Sequence, residues 1–193
     1  MRILAFGDSF VLGQGDPEHL GWAGRVLRNR SEVTLYNLGV RGDSSADVAR
    51  RWRAETQARR VAGETGIVFS FGANDCGLDG GSPRVAPAAS LGYARTMLVE
   101  AAGLGPVLMV GPPPMPEPGR GARIEALNDH LKDLADRLRV PFVDVFQPLF
   151  ADGLWNREAE AIDGAHPGAG GYQRMADLIA AHPAWRTFTA HRS

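Results

Sequence analysis

The chain has 193 residues, 44% of them hydrophobic and 22% charged, a composition that lets one domain bury a core without disulfides or metals. A formal net charge of −1 excludes the strongly basic footprint of a nucleic-acid or anionic-membrane binder. The single cysteine, Cys76, excludes an internal disulfide and suits a reducing compartment.

The N-terminus opens on a strand-like run, RILAF at 2–6, without the charged start, apolar stretch and cleavage site of a signal peptide. No apolar run approaches the length of a membrane span. The expectation is one cytoplasmic domain over residues 1–193. Further short apolar runs follow at 33–38 (VTLYNL), 66–71 (GIVFSF), 106–110 (PVLMV) and 141–145 (PFVDV). They are continuous rather than alternating, the pattern of parallel strands buried on both faces. Helix-period segments fall between and after them, near 20–30, 45–62, 87–103, 120–139 and 170–181. In the clearest, Ile124, Leu127, Leu131, Leu134 and Leu138 recur three or four apart, so one stripe faces a sheet. The alternation predicts an α/β fold with a parallel sheet and right-handed crossovers. Five arginines in RRWRAETQARR at 50–60 read as a solvated helix face, given the near-neutral total.

In such sheets ligands gather at the carboxyl ends of the strands. Chemistry is therefore expected from the residues just beyond each run. Gly7-Asp8-Ser9 follows the first, the stretch from Asn37 to Ser44 the second, and Gly72-Ala73-Asn74-Asp75 the third. Well beyond the fifth stands DGAHPGAGGY, with Asp163 and His166 three residues apart. A serine, a base, a carboxylate to orient it and donors for an oxyanion are what serine-based acyl transfer requires. Both Ser9 and Ser44 stand in a Gly-Asp-Ser turn, where a serine serves either as nucleophile or as helix cap. Asp163 can reach Nδ1–H of His166 and leave Nε2 free, although an Asp-x-x-His pair also occurs in surface turns. Asn74 fits an Asx turn or helix cap as well as an oxyanion donor. Asp75 reads as a structural hydrogen-bonding group, and Cys76, with no base marked for it, as a small semi-buried residue. His19, His130, His182 and His191 lack a comparable setting and read as surface residues.

No Gly-x-Ser-x-Gly elbow is present, no Gly-Lys-Ser/Thr phosphate loop, and no Gly-x-Gly-x-x-Gly after the first strand. Cysteine pairs and His-x-x-x-His spacing are absent too, so neither a metal nor a cofactor is expected.

Taken in order, FGDSF (6–10), NLGVRGDS (37–44), FGANDC (71–76) and DGAHPGAGGY (163–172) resemble the four ordered blocks of the SGNH, or GDSL-type, hydrolases. The resemblance implies a three-layer α/β/α sandwich with a five-stranded parallel sheet in the flavodoxin-like order 2-1-3-4-5. It implies Ser9 as nucleophile, His166 as base and Asp163 as its orienting carboxylate. The oxyanion hole would combine the backbone N–H groups of Ser9 and Gly42 with the side-chain amide of Asn74; Gly39 is the alternative glycine of the second block. Phe10 stands where the family usually has leucine, and an apolar residue still packs there. Asp43, Ser44 and Ser45 then cap a helix that starts near Ala46.

The implied activity is that of a serine carboxylic-ester hydrolase acting on small or exposed acyl esters or thioesters through an acyl-enzyme. Its partner is a small-molecule substrate, with no nucleic acid and no membrane insertion. Two alternatives use the same scaffold: acyl transfer at the same site, and a non-catalytic ligand-binding domain. Retention of the full set of catalytic residue types favours the enzyme. The loops at 10–19, 77–86 and 111–119 are short, predicting an open cleft with Leu78, Pro113, Met115 and Trp155 as apolar walls for the substrate.

Overall fold

The computed structural model describes residues 1–190; His191, read from the sequence as a surface residue, lies outside them. In chain order, β1 (Arg2–Gly7), α1 (Ser9–Leu12), α2 (Gly21–Val26) and β2 (Thr34–Gly39) precede α3 (Ser45–Arg59) and β3 (Thr65–Ser70). A small hairpin of β4 (Leu78–Asp79) and β5 (Ser82–Pro83) leads into α4 (Pro87–Ala102), β6 (Val107–Val110) and α5 (Pro118–Leu138). After β7 (Phe142–Val143) come α6 (Phe146–Phe150), α7 (Gly153–Ile162), α8 (Ala169–Ala181) and α9 (Pro183–Ala190). Among the described residues no helix is long and apolar enough to cross a membrane.

The main sheet has the order β2-β1-β3-β6-β7, every pairing parallel, with helices on both faces. This is the α/β/α sandwich and strand order that the motif blocks implied. Gly7, the last residue of β1, lies opposite Gly39 of β2 and Ser70 of β3. The chain leaves β1 toward one edge through α2 and returns from β2 past β1 to β3 through α3. The strand order therefore reverses beside β1, which opens a crevice at its carboxyl end. Helices α3, α4 and α5 pack in series on one face, and α2 packs on α8, with α7 and α9 beside it, on the other.

Burial follows position in the sheet. β1, β3 and β6 are enclosed almost throughout, with Phe6 stacked on Phe69 at 5.7 Å and Trp52 of α3 edge-on to Phe69 at 5.6 Å. β2 departs from the expected two-sided burial because it is an edge strand, half-exposed along its length. The fifth run also differs, since only Phe142 and Val143 of 141–145 pair in the sheet. The Asp144 carboxylate ends it by accepting from Phe146 N–H, Asn128 Nδ2 and Lys132 Nζ, which turns the chain into α6. The helix expected at 20–30 stops at Val26, after which the N–H groups of Leu27, Arg28 and Arg30 close tight three-residue turns.

The arginine-rich face of α3 is solvated only in part. Arg50 and Arg53 do sit outside, paired with Asp47 and Glu100. Arg51 instead reaches back over the sheet. It pairs with Asp43 at 2.7 Å and Glu55 at 2.9 Å, and donates to the carbonyls of Gly7 and Leu38 at 3.1 and 2.8 Å. A guanidinium can serve several acceptors at once in fixed geometry, so Arg51 ties the carboxyl ends of β1 and β2 to the loop that follows β2.

Candidate active site

The first Gly-Asp-Ser turn leaves β1 directly for α1. Asp8 caps that helix by accepting from Phe10 N–H at 2.9 Å, and Ser9 is its first residue. Burial pushes the Asp8 carboxyl up to about 7, against the lowering influence of the Phe10 N–H. Ser9 is buried beneath the crevice, and its Oγ lies 2.7 Å from Nε2 of His166.

His166 arrives from the loop between α7 and α8. Asp163 shapes that loop and holds the ring with one carboxylate. Oδ1 accepts from the N–H groups of Ala165 and His166 at 3.0 and 2.8 Å, while Oδ2 meets His166 Nδ1 at 2.8 Å. Burial works to raise the Asp163 carboxyl, but the hydrogen bonds from His166 outweigh it and leave it below the ordinary value. With Nδ1 donating to Asp163, Nε2 is the acceptor that faces the Ser9 hydroxyl. Behind the ring, Phe10 packs 5.0 Å from His166 and 6.1 Å from Trp155, and Trp155 meets Tyr172 edge-on. Glu158 of α7 accepts from the N–H groups of Gly170 and Gly171, pinning the start of α8 behind the histidine loop.

On the other side of Ser9 stand the loops after β2 and β3. Gly42 adopts φ +85°, the left-handed region, and its N–H makes no hydrogen bond to another described residue; nor does that of Ser9. The N–H of Gly39 is taken by Asn37 Oδ1 at 3.1 Å, which leaves Gly42 as the glycine of that block with a free donor. Asn74 Nδ2 donates to the Asp43 carbonyl at 3.0 Å, joining the β3 loop to the β2 loop across the end of β1. Asp75 is structural, as its position suggested, accepting from Ser45 N–H and Ser90 Oγ. Burial and the neighbouring Asp75 carboxylate push the Cys76 thiol up to about 12, which makes it an unreactive packing residue.

The expected substrate walls fare less well. Trp155 is fully enclosed, with Nε1 donating to the Pro114 carbonyl at 3.2 Å, so it supports His166 from behind and cannot touch a ligand. Pro113 and Met115 are buried in the loop after β6. Leu78, on the β4–β5 hairpin, keeps 52% of its surface exposed. One polar residue escaped the sequence reading: Arg120, in the first turn of α5, donates to the Ala73 carbonyl and to Asn74 Oδ1. A cation at the positive end of a helix dipole is a local oddity that hints at a tertiary partner.

Residues 5–174 match the model of the GDSL-like lipase/acylhydrolase family. No curated protein matches the chain. Among solved structures, the lipase/acylhydrolase of Enterococcus faecalis is similar at 25% identity and a TM-score of 0.79, over 96% of both chains. A lipolytic protein of the G-D-S-L family from Veillonella parvula is 22% identical with a TM-score of 0.76, over 98% of this chain and 99% of that one. An acetylxylan esterase from Geobacillus stearothermophilus shares the fold at 18% identity and a TM-score of 0.76, over 95% of both. With the family model covering nearly the whole sequence and the same fold around it, the chain belongs to the GDSL-like lipase/acylhydrolase family and is an ester-hydrolysing enzyme.

Proposed function

We propose that the chain is a serine carboxylic-ester hydrolase that works through an acyl-enzyme, with Ser9 as nucleophile, His166 as general base and acid, and Asp163 orienting the imidazole. The observation that carries this reading is the continuous hydrogen-bond chain from Asp163 Oδ2 through both ring nitrogens of His166 to Ser9 Oγ, at 2.8 and 2.7 Å. As Ser9 Oγ attacks the acyl carbonyl, its proton passes to Nε2, and the Asp163 carboxylate stabilises the imidazolium. The N–H groups of Ser9 and Gly42 and the amide of Asn74 receive the oxyanion. Collapse of the tetrahedral intermediate expels an alcohol or thiol, which takes the proton from His166. Water activated by the same histidine then releases the acid.

Small or exposed acyl groups suit the surroundings. The apolar residues of the loop after β6 are buried rather than arranged as a channel, and exposed Leu78 offers surface without depth. A fluorophosphonate probe is expected to label Ser9, located by peptide mass spectrometry, and to leave His166→Ala unlabelled. Labelling at any other residue overturns the assignment. In a p-nitrophenyl ester series, acetate and butyrate are expected to be turned over faster than decanoate; an acetylated xylo-oligosaccharide, suggested by the named activity of one structural relative, tests an oxygen ester on sugar. Asn74→Ala should remain folded and lose roughly a hundred- to a thousandfold in kcat.

A further inference from the structure

An asparagine can serve an oxyanion only if its nitrogen, and not its oxygen, faces the site. Its terminal torsion is broad and two-fold, so nothing intrinsic to Asn74 makes that choice. Two contacts make it here. Nδ2 donates one hydrogen to the Asp43 carbonyl at 3.0 Å, and Oδ1 accepts from Arg120 Nη2 at 3.2 Å. Turning the amide over would set its oxygen against a carbonyl and its N–H2 against a guanidinium, two repulsive contacts replacing two favourable ones. In the orientation held, the second N–H of Nδ2 has no acceptor among the described residues.

Arg120 is itself fixed for this task. Its Nε and Nη2 both donate to the Ala73 carbonyl, at 3.2 and 2.9 Å, so among the described residues its hydrogen bonds go to Ala73 and Asn74. It reaches them from the first turn of α5, 46 positions along the chain from Asn74, where the helix dipole disfavours a cation.

We infer that Arg120 is a positioning residue for the oxyanion donor: it locks the Asn74 amide with its free N–H toward Ser9 and, by drawing charge onto Oδ1, strengthens that N–H as a donor. The inference rests on the oxyanion role proposed for Asn74. Arg120 does not touch the substrate. The contact it improves strengthens as negative charge develops, so its loss should lower kcat and leave KM nearly unchanged.

A double-mutant cycle with p-nitrophenyl acetate tests this, using wild type, Asn74→Ala, Arg120→Met and the double variant, each checked for folding by circular dichroism. Arg120→Met keeps an unbranched apolar side chain and removes both donors; it should lower kcat by roughly ten- to a hundredfold with KM within about twofold. In the Asn74→Ala background the same substitution should cost less than about threefold, because its effect passes through the missing amide. Arg120→Lys keeps the charge without the fork, so its kcat should fall between wild type and Arg120→Met. It also provides a second cycle if the methionine variant does not fold. An equal loss from the Arg120 substitution in both backgrounds overturns the inference and leaves the oxyanion role of Asn74 standing. Undiminished kcat in Asn74→Ala overturns that role, and this inference with it.

Discussion

Gly7-Asp8-Ser9 and Gly42-Asp43-Ser44 place the same three residues between the end of a strand and the start of a helix, yet no position has the same task in both. A Cβ on Gly7 would lie 2.0 Å from the Ser70 carbonyl oxygen, so that glycine lets β1 close on β3; a Cβ on Gly42 would meet nothing within 4 Å. Asp8 is enclosed, whereas Asp43 is paired with Arg51 at the surface of the sheet's end. Ser9 Oγ faces His166, while Ser44 Oγ closes a capping box with Asp47 at the start of α3. The tripeptide encodes a strand-to-helix turn, and the place of its strand decides the chemistry. β1 has a neighbour on each side, so loops from β2, β3 and the end of α7 converge on its turn; β2 stands at the edge, and its turn holds a helix cap and the Gly42 N–H that we propose as an oxyanion donor.

The serines offer the sharpest way to break that comparison. Ser9→Ala should abolish turnover, a loss on the order of a millionfold in kcat, with the fold intact by circular dichroism. Ser44→Ala should keep most of wild-type kcat and lose about 1 kcal/mol of stability, the usual worth of an N-cap side chain. Retained turnover in Ser9→Ala, or a dead Ser44→Ala, reverses the roles of the two copies.

The glycines should separate stability from rate. Gly7→Ala drives a methyl group into backbone oxygen that cannot yield, so β1 must part from β3 at the centre of the sheet. Overpacking of this kind costs roughly 1–3 kcal/mol or more, and about 2–4 °C of Tm follows each kcal/mol in a domain of this size. Gly42→Ala meets no neighbour but holds an alanine at φ +85°. Relief of that strain turns the N–H away, so kcat should fall roughly tenfold or more through the weakened oxyanion donor. Thermal melts and initial rates on both variants decide the matter; a Gly42→Ala enzyme with unchanged kcat removes Gly42 from the oxyanion hole.

What the sequence made legible, and what it hid, follows from the range of the contacts involved. β1, β3 and β6 announced themselves because burial on both faces leaves an unbroken apolar run. The residues beyond the ends of β1, β2 and β3, Ser9, Gly42 and Asn74, and the Asp163–His166 turn belong to compact local motifs. Helices α1, α6 and α9 escaped because four, five and eight residues are too few to show a period. α7 has an apolar side, Leu154, Trp155, Ala159 and Ile162, but its ten residues fall short of the window in which a period shows. Arg120 and Trp155 take their roles from partners 46 and 41 positions away, and such contacts leave no mark in local spacing. Trp155 therefore read as a wall of the cleft when it is the backing of His166, stacked behind Phe10.

The aspartates give the smallest and most selective effect. Burial raises the Asp8 carboxyl from 3.8 to about 7, with Asp75 and Asp43 adding to the rise and Arg120 opposing it. Between about pH 4 and pH 7 the folded protein therefore holds a proton that the unfolded chain has already released. Stability contributed by that proton is present at low pH, declines as pH rises through this window, and is gone above it. Asparagine caps a helix as well as aspartate does and carries no charge to bury. Asp8→Asn should thus raise Tm by a few degrees at pH 8, at about 2–4 °C per kcal/mol, and the gain should shrink to nothing toward pH 4. Asp43→Asn should do the reverse at pH 8 and lower Tm, since it takes the carboxylate from Arg51 Nε at 2.7 Å in a pair whose side chains are only 20% and 14% exposed. Melts of both variants at pH 4, 6 and 8 set the two copies side by side once more. A Tm shift for Asp8→Asn that is the same at every pH means that Asp8 keeps its ordinary acidity in the fold, and the difference between the two aspartates is then one of partners alone.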